Sequence, residues 1–301
     1  MSRSSDCSVH IVPSHRRQSI RMALLDWYEA HKRSLPWRDQ PSAYRVWVAE
    51  IMAQQTRLQT VEPYFERFLA RFPDVHSLAK ASLDEVLALW SGLGYYGRAR
   101  NLHRAAQTVV AQHDGRLPSD VDSLIDLPGI GRYTAGAITS VAFGRPEPVL
   151  DGNVKRVLCR LFDLAEDVSL VSSQKKLWLL AAELVPAERC GDFNQALMEL
   201  GALVCTPAEP ACPTCPLKRS CWALKTDCVA LRPVKGPNRV PQRVDVVAAA
   251  VFRADGRLLL VQNPPSGLFG GMWGVPLWPR DGKPAREKVP ALRRVLAREL
   301  G

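Results

Sequence analysis

The chain has 301 residues, 47% hydrophobic and 23% charged, proportions of a globular protein with room for one large domain or two ordinary ones. No apolar run has the length of a membrane span, since the segment 177–185 is interrupted by Glu183. A formal net charge of +10 suits a polyanionic partner, because Lys and Arg displace counterions from a phosphate backbone, although a merely basic protein would show the same balance.

Residues 1–18 hold Ser, His and Arg without the apolar stretch of a signal peptide, and read as a basic, mobile arm. From residue 19 to about 231 the pattern is helical. Met22, Leu25 and Tyr28 recur at helical spacing over 21–31. The segment 44–72 reads as a long amphipathic stretch with Val61, Phe65 and Phe68 on one side and a break at Pro63. A helix over 83–90 precedes the turn Ser91-Gly92-Leu93-Gly94, and the next helix continues through Ala111. Residues 122–126 lead into Leu127-Pro128-Gly129-Ile130-Gly131 and a helix to Phe143; further helices follow Asp151 to Leu164, 174–184 and 193–204. The character changes after Cys228. Residues 231–243 are proline-rich and basic and read as a linker. Beyond it, the β-branched run 244–252, the turn Arg253-Ala254-Asp255-Gly256 and residues 258–262 read as a hairpin, with a helix over 285–300.

Eight cysteines are present: Cys7, Cys159, Cys190, Cys205, Cys212, Cys215, Cys221 and Cys228. Four of them, Cys205, Cys212, Cys215 and Cys221, crowd into one segment stiffened by Pro207, Pro210, Pro213 and Pro216. Four thiolates at this spacing suit either a tetrahedral zinc ion or a cubane iron–sulfur cluster, and their chemistry leaves that choice open. The remaining cysteines are expected to pack as small hydrophobes.

The segment 127–135 is the strongest anion-binding signal. Gly129 and Gly131 can adopt positive φ and expose backbone N–H groups, and the helix that follows points its N-terminus outward. Such a hairpin grips a phosphate without reading base sequence. Alone, a Gly-x-Gly turn is also compatible with an ordinary tight turn.

Five blocks carry a wider resemblance: Leu35-Pro36-Trp37-Arg38, the run 50–56 (Glu50 to Thr56), Gly92-Leu93-Gly94-Tyr95-Tyr96, the hairpin, and the run 150–156 around Asp151. Together they resemble the helix–hairpin–helix base-excision DNA glycosylases, and more narrowly the adenine DNA glycosylases of the MutY type. The resemblance implies a mainly α fold, with a six-helix barrel over about 35–145 and an iron–sulfur subdomain from about 19–34 and 146–230. It also implies a [4Fe–4S] cluster on the four clustered cysteines, and a monomeric enzyme of the bacterial cytoplasm, associated with the nucleoid. The implied reaction is release of adenine mispaired with 8-oxoguanine or guanine in double-stranded DNA, without cutting the strand.

By the same resemblance, Glu50 protonates the flipped adenine and helps position water, its acid form favoured by apolar Val48, Ile51 and Met52. Asp151 stabilises the oxocarbenium-like sugar and also reads as a helix N-cap; Asn153 orients Asp151 or water. Tyr133 stands where related strand-cutting enzymes carry a lysine, so no imine is expected, with Lys155 the nearest alternative amine in sequence. Gln55 and Tyr95 would fill the vacated stack, and Arg33, Leu35, Trp37 and Arg38 would wall the adenine pocket. Without the resemblance, these residues read as an exposed helix glutamate, a cap, core packing and a solvated helix surface. Read from the residues themselves, Arg98, Arg100 and Arg104 make a basic DNA-binding face or, alternatively, a solvated helix surface.

Residues 258–262 and 271–276 resemble the start of a Nudix-like domain that checks for 8-oxoguanine. The chain is expected to hold only an incomplete α+β version of it, over 244–301. Phosphohydrolase activity is not expected, because Pro290 stands where the hydrolytic motif ending in Arg298-Glu299-Leu300-Gly301 needs a glutamate. The competing readings are a thymine–guanine mismatch or oxidised-pyrimidine glycosylase, and a non-catalytic iron–sulfur DNA-binding protein.

Overall fold

The computed structural model describes residues 12–39, 41–236, 243–264, 270–279, 290 and 294. It divides into two compact units, 1–236 and 237–301. Among the described residues no helix is long and apolar enough to cross a membrane.

The first unit is helical. Helix α1 (Ser14–His31) starts directly after Pro13, whose carbonyl accepts from Arg17 N, and buries Ile20, Leu24 and Tyr28. This corrects two expectations. Residues 14–18 are helix rather than arm, and the buried stripe is not the one containing Met22, which is 58% exposed. The rest of the expected arm, residues 1–11, lies outside the described residues.

The short helix α2 (Pro36–Asp39) is followed by α3 (Ala43–Ala53), capped by Ser42, and α4 (Leu58–Arg71). The expected break at Pro63 does not occur, since α4 runs through it. A proline inside a helix forfeits one backbone hydrogen bond; burial of Val61, Phe65 and Phe68 on the same helix outweighs that loss. The break falls instead at 54–57, where Gln55 takes a left-handed φ of 57°.

Helices α5 (Val75–Lys80), α6 (Leu83–Trp90), α7 (Gly97–Gln112), α8 (Val121–Ile125) and α9 (Arg132–Phe143) complete a core centred on Trp47, Phe65, Phe68 and Trp90. A second core joins α1 to α10 (Gly152–Leu161), α11 (Val171–Leu184) and α12 (Cys190–Leu203) through Leu24, Leu158, Leu177 and Phe193. Helix α9 belongs to both, with Ile138 in the first and Ala137 in the second. The close packing of α12 on α9 requires a glycine: a Cβ at Gly191 would stand 2.7 Å from the Ser140 carbonyl oxygen. After α12, a loop holding the four clustered cysteines leads to α13 (Trp222–Lys225).

The expected linker is corrected at its start. Arg232 pairs with Asp163 at 2.8 Å and Val168 N donates to the Val234 carbonyl, so these residues are packed on the first unit; 237–242 lie outside the described residues.

In the second unit, β1 (Val246–Ala248) pairs antiparallel with β4 (Leu277–Pro279), and β2 (Val261–Gln262) with β3 (Trp273–Gly274). The turn at 253–256 forms, with a single bridge between Phe252 and Leu258, but the runs flanking it do not make one long hairpin. β-Propensity reports that a segment fits a pleated surface and not which edge it will meet. The expected helix over 285–300 falls outside the described residues apart from 290 and 294.

Candidate active site

Four helices deliver side chains to one cavity of about 460 Å³ between the two cores: Glu50 from α3, Tyr133 from α9, Asp151 and Asn153 at the start of α10, and Glu199 from α12. Val48, Ile51 and Met52 are buried in the first core, and helical geometry turns Glu50 away from them into the cavity.

The Tyr133 hydroxyl donates to Glu50 Oε2 at 2.7 Å and also lies 3.2 Å from Met198 Sδ. Burial pushes the Glu50 carboxyl up to about 7; the Tyr133 hydrogen bond opposes this, and the nearby charge of Asp151 adds to it. Val48, Ile51 and Met52, the apolar neighbours first expected to enclose Glu50, do not line the cavity; residues distant in sequence, among them Tyr133, Asp151 and Met198, do. The Tyr133 phenol is itself held far above its ordinary range, first by burial and then by the two carboxylates.

Asp151 is both cap and cavity residue. One carboxylate oxygen accepts from Val154 N at 2.7 Å, the other from Asn153 Nδ2 at 3.1 Å. Burial raises its pKa while these bonds oppose the rise. Asn153 Oδ1 in turn accepts from Arg156, which also donates to the Gly201 and Cys205 carbonyls at 2.7 Å each. Sequence reasoning missed Arg156, whose partners are distant in the chain.

A charge network also lines the cavity. Glu199, 1% exposed, accepts two side-chain bonds from Arg33, at 2.7 and 2.9 Å, and one from Arg38 at 3.0 Å. Burial pushes its carboxyl up, but the hydrogen bonds from Arg33 and Arg38 prevail and hold it below the usual range. Arg38 also donates to Gln195 Oε1 at 2.9 Å. Leu35 and Trp37, the latter edge-on to Phe65 at 5.1 Å, line the same cavity. The structure thus brings together all four residues expected to wall a base pocket and adds Glu199, Gln195 and Met198. The available signal for Glu199 was a carboxylate amid the buried residues Leu197 and Leu200.

At the hairpin, Gly129 takes a φ of 81° and a Cβ there would meet Asn101 at 2.7 Å. The expectation of positive φ fails for Gly131, which is the extended N-cap of α9 at φ −99°. No side chain caps α9, so its first N–H groups remain available there, beside Arg132, whose guanidinium lies 4.1 Å from the centre of the Trp178 ring. Gln55 and Tyr95 are both exposed, at φ 57° and 49°. Arg98 departs from the expected basic face: its guanidinium donates to the carbonyls of Ile51, Met52, Gln54, Leu93 and Gly94. A cation there meets unpaired carbonyls at the end of α3, which outcompete solvent for its N–H groups. Arg104 remains exposed and bonds to Asn101 Oδ1.

Cys205, Cys212, Cys215 and Cys221 line a second, small cavity of about 30 Å³ together with Arg160, whose Nη1 lies 3.4 Å from Cys205 Sγ. Burial, with the negative charge of neighbouring cysteines, pushes the Cys212, Cys215 and Cys221 thiols up, Cys215 to about 11. Among the described residues no group of three or more His, Cys, Asp or Glu side chains is gathered to hold a single metal ion. Cys159 and Cys190 are buried as expected, whereas Cys228 donates to Asp163 Oδ1 at 3.0 Å. Cys7 lies outside the described residues.

Residues 48–183 match the model of the HhH-GPD superfamily of base excision DNA repair proteins. The chain is 42% identical to the adenine DNA glycosylase of Arabidopsis thaliana, over 86% of this chain and 47% of that protein. It is 40% identical to that of Homo sapiens, over 86% and 57% respectively. It is 34% identical to that of Schizosaccharomyces pombe, over 88% and 72%. The chain thus spans about half the length of the first two. Among solved structures, a thermostable thymine-DNA glycosylase matches with a TM-score of 0.65 at 29% identity, over 70% of this chain and 98% of that one. A non-covalent endonuclease III–DNA complex matches with a TM-score of 0.58 at 26% identity, over 70% and 97%. The helical architecture is shared with these two structures, and the chain belongs to the adenine DNA glycosylase family of the HhH-GPD superfamily.

Proposed function

We propose that the protein hydrolyses the N-glycosidic bond of adenine mispaired with 8-oxoguanine or guanine in double-stranded DNA. The observation that carries this reading is Glu50, a carboxyl raised to about 7 and hydrogen-bonded by Tyr133, in the same cavity as the fixed carboxylate of Asp151. A raised acid and a rigidly held anion are what cleavage through an oxocarbenium-like transition state needs. Glu50 gives its proton to a ring nitrogen of the departing base as the C1′–N bond breaks. Asp151 stabilises the positive sugar. Water then adds to C1′ and returns a proton to Glu50, leaving free adenine and an abasic sugar. None of the described cavity-lining residues is a lysine, and Tyr133 forms no imine, so the strand stays intact.

Cys205, Cys212, Cys215 and Cys221 would hold a [4Fe–4S] cluster. The fit is chemical: four thiols face one cavity, and burial with neighbouring cysteine charge disfavours ionisation of Cys212, Cys215 and Cys221, a conflict that cationic iron relieves. When bound, the cluster supplies positive charge and covalent links that fix this loop. The isolated protein is then expected to be brown, with four irons per chain; stoichiometric zinc contradicts the assignment.

The duplex would be gripped at its phosphates by the Gly129–Gly131 hairpin, the α9 N-terminus and the chain's positive charge. The test is base release from duplexes holding A opposite 8-oxoguanine, A opposite G, T opposite G, and oxidised pyrimidines. The wild type is expected to release adenine and the Glu50→Gln variant to do so at least about 10³-fold more slowly. Preferred release of thymine, or a strand break without alkali, contradicts the proposal.

A further inference from the structure

Of the six described non-glycine residues in the left-handed region, two stand on exposed loops that meet Arg98: Gln55 between α3 and α4, and Tyr95 between α6 and α7, the latter 62% exposed. Thr56, next to Gln55, lines the Glu50 cavity. Strained backbone persists only where its surroundings over-determine it. Here the surroundings converge on Arg98. Its Nη1 donates to the carbonyls of Ile51 at 3.0 Å, Met52 at 2.7 Å and Gln54. Its Nη2 donates to the carbonyls of Leu93 at 3.4 Å and Gly94 at 3.2 Å and to Thr56 Oγ1 at 3.2 Å. The same guanidinium lies 5.4 Å from the centres of the Tyr95 and Trp90 rings. One nitrogen therefore holds the end of α3 while the other reaches the glycine turn. The planar fork of arginine can do both at once, which the single ammonium of lysine cannot.

We infer that Arg98 is a positioning residue for base extrusion. It locks the Gln55 and Tyr95 loops to each other, so that both side chains stand ready to fill the gap a departing base leaves in the stack. The inference rests on the excision reading above for the reaction it serves.

The experiment compares the full chain with its Arg98→Lys and Arg98→Met variants in single-turnover release of adenine. One substrate is a mispaired duplex; in the other the same adenine is unpaired, opposite an abasic site. Arg98→Met is expected to slow the duplex reaction about 10²-fold and the unpaired one by no more than about threefold, with Arg98→Lys in between. Tyr95→Ala is expected to show the same duplex-only loss, and the double variant to lose no more than the larger single loss. Equal losses on both substrates, or fully additive losses, overturn the inference. Amide hydrogen exchange tests the clamp without DNA. Residues 53–57 and 92–96 are expected to exchange faster together in Arg98→Met, with α10 to α12 unchanged. Unaltered protection of either loop overturns the inference, whereas a wild type that releases no adenine counts against the excision reading instead.

Discussion

Glu50 and Glu199 line the same cavity, and the fold treats them in opposite ways. Glu50 meets a phenol and another carboxylate, and burial raises it to about 7. Glu199 is the less solvent-exposed of the two, yet Arg33 and Arg38 hold it below the usual range. The difference teaches that burial alone does not make a general acid: the partners decide whether a buried carboxyl keeps its proton. Glu50 is poised to give a proton away, and Glu199 is an anion that fixes two arginines along the pocket wall.

The contrast is broken most sharply by removing each carboxylate in turn. Glu50→Gln is expected to lower adenine release by about 10³-fold or more. The same variant should be more stable than wild type at pH 8, by about 1–3 kcal/mol. The sign follows from the raised folded pKa: the favourable neutral form prevails below the unfolded value near 4.5, and its contribution is lost as pH rises through about 7. Single-turnover kinetics and thermal unfolding at pH 5 and 8 check both halves. Asp151→Asn should cost about 10²-fold in rate with little change in unfolding temperature, because asparagine retains an acceptor for Val154 N. A large stability loss there would leave Asp151 with its capping role alone.

Glu199→Gln should do the reverse of Glu50→Gln. Removing the shared anion is expected to cost about 3 kcal/mol of stability, since it strands two cations that were paired. Its pH signature is also opposite: a depressed folded pKa confers stability above the unfolded value that is lost as pH falls through the folded one. Denaturant unfolding from pH 3 to 8 reads this out. The smallest effect is expected from Tyr133→Phe. Losing the bond that opposes the rise should move the Glu50 limb of the pH–rate profile to higher pH; a shift to lower pH would contradict the stated role of the phenol.

The legible parts of this molecule are those set by local chemistry. Helix α6 spans 83–90 as expected because Ser82 and Glu85 cap each other's backbone within one turn. Asp151 reads as a cap from its own neighbourhood, and it is one; its place beside Glu50 came only through resemblance. Pro63 misled because a residue's local cost does not reveal the aromatic burial that overrides it. Glu199 was illegible because its meaning depends on Arg33, 166 residues away. Arg98 reads as one more cation on a helix until the end of α3 is seen to meet it. The small sheets failed for the same reason, since β1 finds its partner at Leu277–Pro279 rather than across the adjacent turn.

Base release depends, in this mechanism, on Glu50 acting in its protonated form. The most direct measurement is the single-turnover rate of adenine release as a function of pH in the wild-type protein. The rate is expected to fall as pH rises through about 7, tracking loss of the Glu50 proton. A rate that climbs through that range and stays high to about pH 9, well above the ordinary carboxylate range, would mean that the carboxylate works as an anion, and would contradict the mechanism.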